Sequence, residues 1–192
     1  MPDKISRLVR DSKSGNRKAF GELYEMFVGR IYNYMYYRTF HRETAEDLTG
    51  LTFLKVLKKF DTYQEKKGSF LTWIYRIAGN CLIDHYRTHR KTENIENIRN
   101  LSTSEDIETN VEARIKWEQL KPFLEALPFE KSNIIIMRIW DGLSYKEIAG
   151  ILKKSEGACK MMFARTINQL KKAIPFSFYF MVFALPVIEE EL

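Results

Sequence analysis

The sequence predicts an all-α protein of two helical domains: an N-terminal helix bundle and a C-terminal helix-turn-helix domain, joined by a flexible acidic linker. Three observations carry this. Apolar residues recur at the 3.6-residue period, and no comparable stretch alternates as a strand would. No proline falls between Pro2 and Pro122. Charge is segregated along the chain: residues 1–92 carry a net +8, 93–111 carry −4, 112–174 carry +5 and 175–192 carry −3. Of 192 residues, 45% are hydrophobic and 29% charged, a balance that excludes disorder throughout.

The helices follow in order. Phe20, Leu23, Tyr24, Phe27, Ile31, Tyr34 and Met35 form one apolar stripe, Leu48, Phe53, Val56, Leu57 and Phe60 a second, and Phe70, Trp73, Ile74, Ile77 and Cys81 a third. Lys66-Lys67-Gly68 interrupts the pattern, so a loop is expected over Asp61–Ser69. Residues 1–92 thus read as three or four packed helices. The string ENIENIRNLSTSEDIETNV has linker composition, placing the connector at 93–111.

The second block, 112–174, begins with a helix over Val111–Ala126, broken at Leu127-Pro128. Another is expected over Phe129–Trp140, stopped by Asp141-Gly142. Ser144-Tyr145-Lys146-Glu147 is a capping box, because the serine oxygen takes an orphan amide three residues on and the glutamate reaches back. A short helix then runs to about Lys153. Ser155 caps the next, Glu156 suits its positive end, and Pro175 ends it near Ile174. The tail 175–192, PFSFYFMVFALPVIEEEL, is apolar with three closing glutamates. It is expected to fold back on the protein.

Composition narrows the function. Two cysteines cannot build a disulfide scaffold and suit a reducing compartment. The N-terminal twenty residues hold no apolar core of signal-peptide length, and Phe176–Ile188 is shorter than the roughly 20 residues a membrane helix needs. A cytoplasmic protein without stable membrane insertion is expected. Two basic blocks favour a polyanionic partner, nucleic acid first. The pair SYKEIAGIL and SEGACKMMFARTINQLKK makes a helix-turn-helix with a basic second helix. Ile148, Ala149 and Leu152 face its core. Glu156, Lys160, Met161, Ala164 and Arg165 are its exposed candidates, with Lys171 and Lys172 suited to phosphates. In the first block, Phe70, Trp73, Tyr75 and Tyr86 are aromatics in a basic segment, suited to stacking on unpaired bases. Phe70, Trp73 and Ile77 fit the core better.

Cys81, His85 and His89 share one helix face, but three ligands on successive turns suit a tetrahedral ion poorly. Neither metal nor cofactor is expected. No nucleophile–base array, phosphate loop or carboxylate pair supports an enzyme or a small-molecule substrate.

Three separated motifs in order resemble the extracytoplasmic-function (ECF) sigma factors of bacteria: ETAEDLTGLTFLKVLKKF, FLTWIYRIAGNCLIDHYR, and LPFEKSNIIIMRIWDGLSYKEIAGIL followed by SEGACKMMFAR. The match covers roughly residues 8–174. The resemblance implies an alternative sigma factor that binds core RNA polymerase and directs promoter recognition, DNA melting and transcription initiation. Residues 1–92 correspond to region 2 and 112–174 to region 4. The polymerase-binding candidates are Glu46, Asp47, Leu51 and Lys55. The loop Asp61–Ser69 corresponds to the one that captures an extruded base. Candidate −10 contacts are Tyr63, Lys66, Arg76, Asn80, Arg87, Arg90 and Lys91. Asp84, in the family's Asp-x-x-Arg pattern with Arg87, is expected to order the helix, since a carboxylate repels phosphate. Candidate −35 contacts are Ser155, Lys160, Met161, Ala164 and Arg165. The implied partners are core RNA polymerase, promoter DNA and an anti-sigma factor.

Two departures stand out. Gly50 and Leu51 replace the polar pair often found after the acidic one, and Cys159-Lys160-Met161-Met162 replaces Val-Lys-Ser-Arg. The first supports an alternative: a helix-turn-helix DNA-binding regulator with a sigma-like fold that does not dock productively on polymerase.

Overall fold

The computed structural model describes residues 2–92 and 121–173, with side chains over 4–88 and 121–173. All regular structure among them is helical. The described residues divide between two compact units: the first holds the helices through Thr92 together with Gly150–Lys153, and the second holds the remainder from residue 121 onward.

In the first unit, α1 (Pro2–Lys13) and α2 (Arg17–Thr39) meet at a tight turn. Asn16 caps α2, its side-chain oxygen accepting from Lys18 N at 3.0 Å and Ala19 N at 3.3 Å. Phe40, at φ 53°, ends α2 in a left-handed cap and donates its N–H to Tyr36 O at 2.8 Å. α3 (Arg42–Lys59) starts at His41, whose Nδ1 accepts from Thr44 N. Two short 3-10 turns, Phe60–Thr62 and Glu65–Lys67, lead into α4 (Phe70–Thr92). The expected loop therefore carries structure of its own.

The core of this unit is where the three stripes meet. Leu23, Phe27, Ile31, Tyr34 and Met35 of α2, Leu48 and Val56 of α3, and Phe70, Ile74, Ala78, Cys81 and Leu82 of α4 are all buried. Buried Thr49 and Thr52 donate their hydroxyls to the carbonyls of Ala45 and Leu48, both at 2.7 Å, so neither leaves an unpaired polar group in the core. Gly79 brings α4 close to α2, since a Cβ there would lie 3.3 Å from Tyr34 Oη.

Four stripe residues are not fully in the core: Phe20 and Trp73 are half-buried, and two are exposed. Tyr24 is 39% exposed and Leu57 is 56% exposed. Leu57 lies about 100° around the helix from buried Val56, which turns it outward.

In the second unit, residues 121–125 are helical. α5 (Phe129–Ile139) buries Asn133, Ile134, Ile135, Ile136 and Met137 in succession, as a central helix does. Gly142, at φ 61°, makes the stop. The capping box forms as expected: Glu147 N donates to Ser144 Oγ at 3.3 Å, and Ser144 N donates to Glu147 Oε2 at 2.8 Å. It opens α6 (Tyr145–Leu152). Lys153, at φ 55°, turns the chain, and Ser155 Oγ accepts from Ala158 N at 3.2 Å to open α7 (Glu156–Ala173). The expected linker 93–111, most of the helix Val111–Ala126, and the tail fall outside the described residues.

Candidate nucleic-acid and partner interfaces

α3 offers one outward face. Asp47, Gly50, Leu51, Leu54 and Leu57 recur at three- and four-residue intervals and all are exposed, Leu54 and Leu57 by more than half. Glu46, also exposed, pairs with Arg42 at 3.0 Å. Sequence reasoning placed Leu57 in the core and did not single out Leu54. Their exposure depends on which side of α3 the bundle covers, and periodicity alone does not settle that side.

Lys55 departs from the other residues expected to contact polymerase. Its ammonium reaches across to α4 and pairs with Asp84 at 3.5 Å. Asp84 also accepts from Arg87 at 3.2 Å. One carboxylate thus holds two cations, in keeping with an ordering role for Asp84. A cavity of about 240 Å³ lies between α3 and α4, lined by Lys55, Lys59, Ile77, Asn80, Ile83 and Asp84. Asn80 is exposed there and presents both amide donor and acceptor. Arg87 is exposed and Arg76 half-buried. The side chains of Arg90 and Lys91 lie outside the described residues.

The loop before α4 requires a correction. Tyr63, a candidate base contact, is only 5% exposed. Its ring packs on Phe70 at 5.5 Å and Trp73 at 5.3 Å, and its hydroxyl donates to Gly68 O at 3.1 Å. The ring is an internal post that shapes the loop and is not a surface contact. Burial pushes its phenol above the usual tyrosine value, with Glu65 adding to the effect. Lys66 stands exposed on the loop.

The stacking aromatics are corrected likewise. Tyr75 is fully buried against Tyr34, ring centroids 5.0 Å apart. Tyr86 is half-buried and donates its hydroxyl to the Arg38 carbonyl, tying α4 to the end of α2.

In the second unit the exposed face of α7 comprises Glu156, Lys160, Met161, Ala164 and Arg165, as expected, while Cys159 is buried. Burial pushes the Cys159 thiol upward. Lys160 pairs with Glu156 at 2.9 Å and lies 5.8 Å from the Tyr145 ring. Ser155 spends its hydroxyl on the cap. Ile148 and Ala149 are buried and Leu152 is half-buried. Among the described residues, no three metal-ligating side chains gather, and no helix is long and apolar enough to cross a membrane.

Comparisons with known proteins agree with this architecture. The Sigma-70 region 2 model matches residues 23–92 and the Sigma-70 region 4 model matches residues 118–170. The chain is 32% identical over 161 residues to the RNA polymerase sigma factor YlaC of Bacillus subtilis, covering 82% of this chain and 92% of YlaC. It is 30% identical over 175 residues to the ECF RNA polymerase sigma factor BldN of Streptomyces coelicolor, covering 90% of this chain but 66% of BldN. The fold is similar to CnrH, solved in complex with the cytosolic domain of CnrY, with a TM-score of 0.69 at 21% identity over 90% of this chain and 97% of that one. It is also similar to the sigma factor RpoE of Bartonella quintana, solved with the anti-sigma factor NepR, with a TM-score of 0.66 at 20% identity over 81% and 96%. With both sigma regions matched in order and a relative of this identity covered almost end to end, the chain belongs to the ECF RNA polymerase sigma factors.

Proposed function

We propose that this ECF sigma factor binds core RNA polymerase through α3, holds the melted −10 strand with the loop of residues 60–69 and the α3–α4 groove, and contacts the −35 element with α7. The observation that carries the reading is the groove itself. An exposed Asn80 lines it together with Lys55 and Lys59 of α3 and with Asp84 of α4, which in turn holds the exposed Arg87. An amide that reads base edges, flanked by cations for the backbone, suits single-stranded DNA. The corresponding division of the chain is 1–92 for region 2, 93–111 for the linker, 112–174 for region 4 and 175–192 for a tail.

On α3, Asp47 supplies charge at one end of the face, Gly50 and Leu51 stand where the family often has a polar pair, and the exposed Leu51 and Leu54 offer apolar contacts. Docking there gains from desolvation of the leucines. On α7, Arg165 and Lys160 offer donors, Met161 and Ala164 contact thymine methyls, and DNA shape supplies the rest. The job is non-enzymatic and cytoplasmic. RpoE was solved with an anti-sigma factor, which supports an anti-sigma partner here.

The experiment is capture of core RNA polymerase by the purified chain, with Asp47→Arg alongside. Binding that charge reversal abolishes supports the reading. A chain that binds DNA but never polymerase is instead the regulator with a sigma-like fold, for which the Gly50-Leu51 departure is the reason.

A further inference from the structure

We propose that α1, which lies outside the residues matched by the region 2 model, is the brace that keeps the loop between α3 and α4 in its binding shape, with Lys13 as the positioning residue. The inference rests on the reading of that loop as the −10 capture element.

Lys13 Nζ donates to the Tyr63 carbonyl at 2.6 Å and lies 3.5 Å from the Asp61 carbonyl. It also sits 5.8 Å from the Tyr63 ring centroid. Two turns earlier on α1, Ser6 donates its hydroxyl to the Glu65 carboxylate. Residues seven apart share a helix face, so α1 presents both donors to one loop. Leu8 and Val9, between them in sequence, are buried, and Lys4 pairs with Glu22 of α2 at 3.4 Å. The helix is thus anchored on the bundle while it holds the loop.

The loop needs such help. Its own backbone bonds close two separate turns: Tyr63 N to Phe60 O at 3.1 Å, then Lys67 N to Gln64 O at 2.9 Å and Gly68 N to Glu65 O at 3.1 Å. None of these backbone bonds spans the junction at 63–64, which within the loop is crossed by the Tyr63 hydroxyl on Gly68 O at 3.1 Å. There the Tyr63 ring points into the core while its carbonyl points to Lys13. The ring fixes the loop from inside and the ammonium fixes it from outside. A loop that accepts an extruded base holds it better when its shape is set beforehand, because less ordering is paid on binding.

The test uses the full chain assembled with core polymerase, as wild type, Lys13→Met, Lys13→Arg and Lys66→Glu. The probe is a single-stranded oligonucleotide selected from a random pool by the wild-type holoenzyme. Two quantities are read: amide hydrogen exchange at residues 61–68, and oligonucleotide affinity. Lys13→Met is expected to speed exchange across the loop by about tenfold and to weaken the oligonucleotide by about tenfold, with polymerase affinity unchanged. Lys13→Arg, which can also donate to the two carbonyls, is expected to restore both. Unchanged exchange in Lys13→Met overturns the brace. Weaker oligonucleotide binding with unchanged exchange also overturns it, since Lys13 would then be a phosphate contact. If Lys13→Met loosens the loop but Lys66→Glu leaves oligonucleotide binding intact, the brace stands and the capture reading of the loop fails.

Discussion

Lys55 of α3 and Asp84 of α4 pair at 3.5 Å beside the exposed amide of Asn80, and Asp84 holds Arg87 at 3.2 Å on its other oxygen. A single acid of the groove thus governs two cations, Lys55 within it and Arg87 one turn further along α4. Both pairs are substantially exposed, so each adds at most about 1 kcal/mol to stability. The acid matters more for the field it imposes on the groove. Asp84→Asn should leave the melting temperature nearly unchanged and raise affinity for non-specific single-stranded DNA. The salt dependence of binding should steepen by about 0.7 in log–log slope for each further phosphate neutralised. Titration of a labelled oligonucleotide at several salt concentrations checks this. A flat response would mean that Lys55 and Arg87 never reach the backbone.

The apolar face of α3 makes a separate prediction. Leu54 is 57% exposed, so Leu54→Asp removes little packing and should change stability by no more than about 0.5 kcal/mol. Polymerase affinity should fall by about tenfold or more, as expected of a truncated interface anchor worth over 1 kcal/mol. Surface capture of core polymerase, with circular dichroism melting alongside, reads both effects.

Ser155 separates cap from contact. Its hydroxyl accepts the Ala158 amide, so Ser155→Ala should cost about 1 kcal/mol. Ser155→Asp keeps an acceptor at the positive end of α7 and should preserve stability. Its charge would face phosphate, however, so −35 DNA binding should weaken. Equal DNA affinity for Ser155→Asp and wild type would remove Ser155 from the interface.

Tyr63 predicts an alkaline limit. Its phenol is held above the usual tyrosine value, first by burial and then by Glu65. A group whose value is raised on folding contributes stability that is complete below the unfolded value, about 10 for tyrosine. That contribution is lost as pH rises through the folded value. Thermal melts from pH 8 to 12 should fall more steeply for wild type than for Tyr63→Phe. Parallel curves would mean that the phenol ionises without cost.

Much of the candidate site was legible beforehand. The exposed set on α7 needed only a helix with one apolar side, and Glu156, Lys160, Met161, Ala164 and Arg165 are all exposed. The Ser144 box and the Ser155 cap were legible for the same reason, since each bond joins residues three apart. Asp84, which repels phosphate, was expected to order the helix, and its two partners accord with that.

The residues that misled are those whose place depends on a distant partner. Tyr63 looks like a loop aromatic until Phe70 and Trp73 enclose it, and Tyr75 looks like a stacking ring until Tyr34 covers it. Leu57 fits an apolar stripe, yet the bundle leaves it in water. Lys55 shares a helix with Asp47 but turns to an acid 29 residues away, and Lys13 holds a carbonyl 50 residues away. By itself, then, the sequence determined what adjacent residues decide: the helices, their caps, their stops and the order of the sigma motifs. Only the tertiary structure decided which side of each helix meets water and which cation serves which acid. Helix period and capping arise from bonds within one turn, whereas burial and long-range pairing arise from packing between elements that no local pattern encodes.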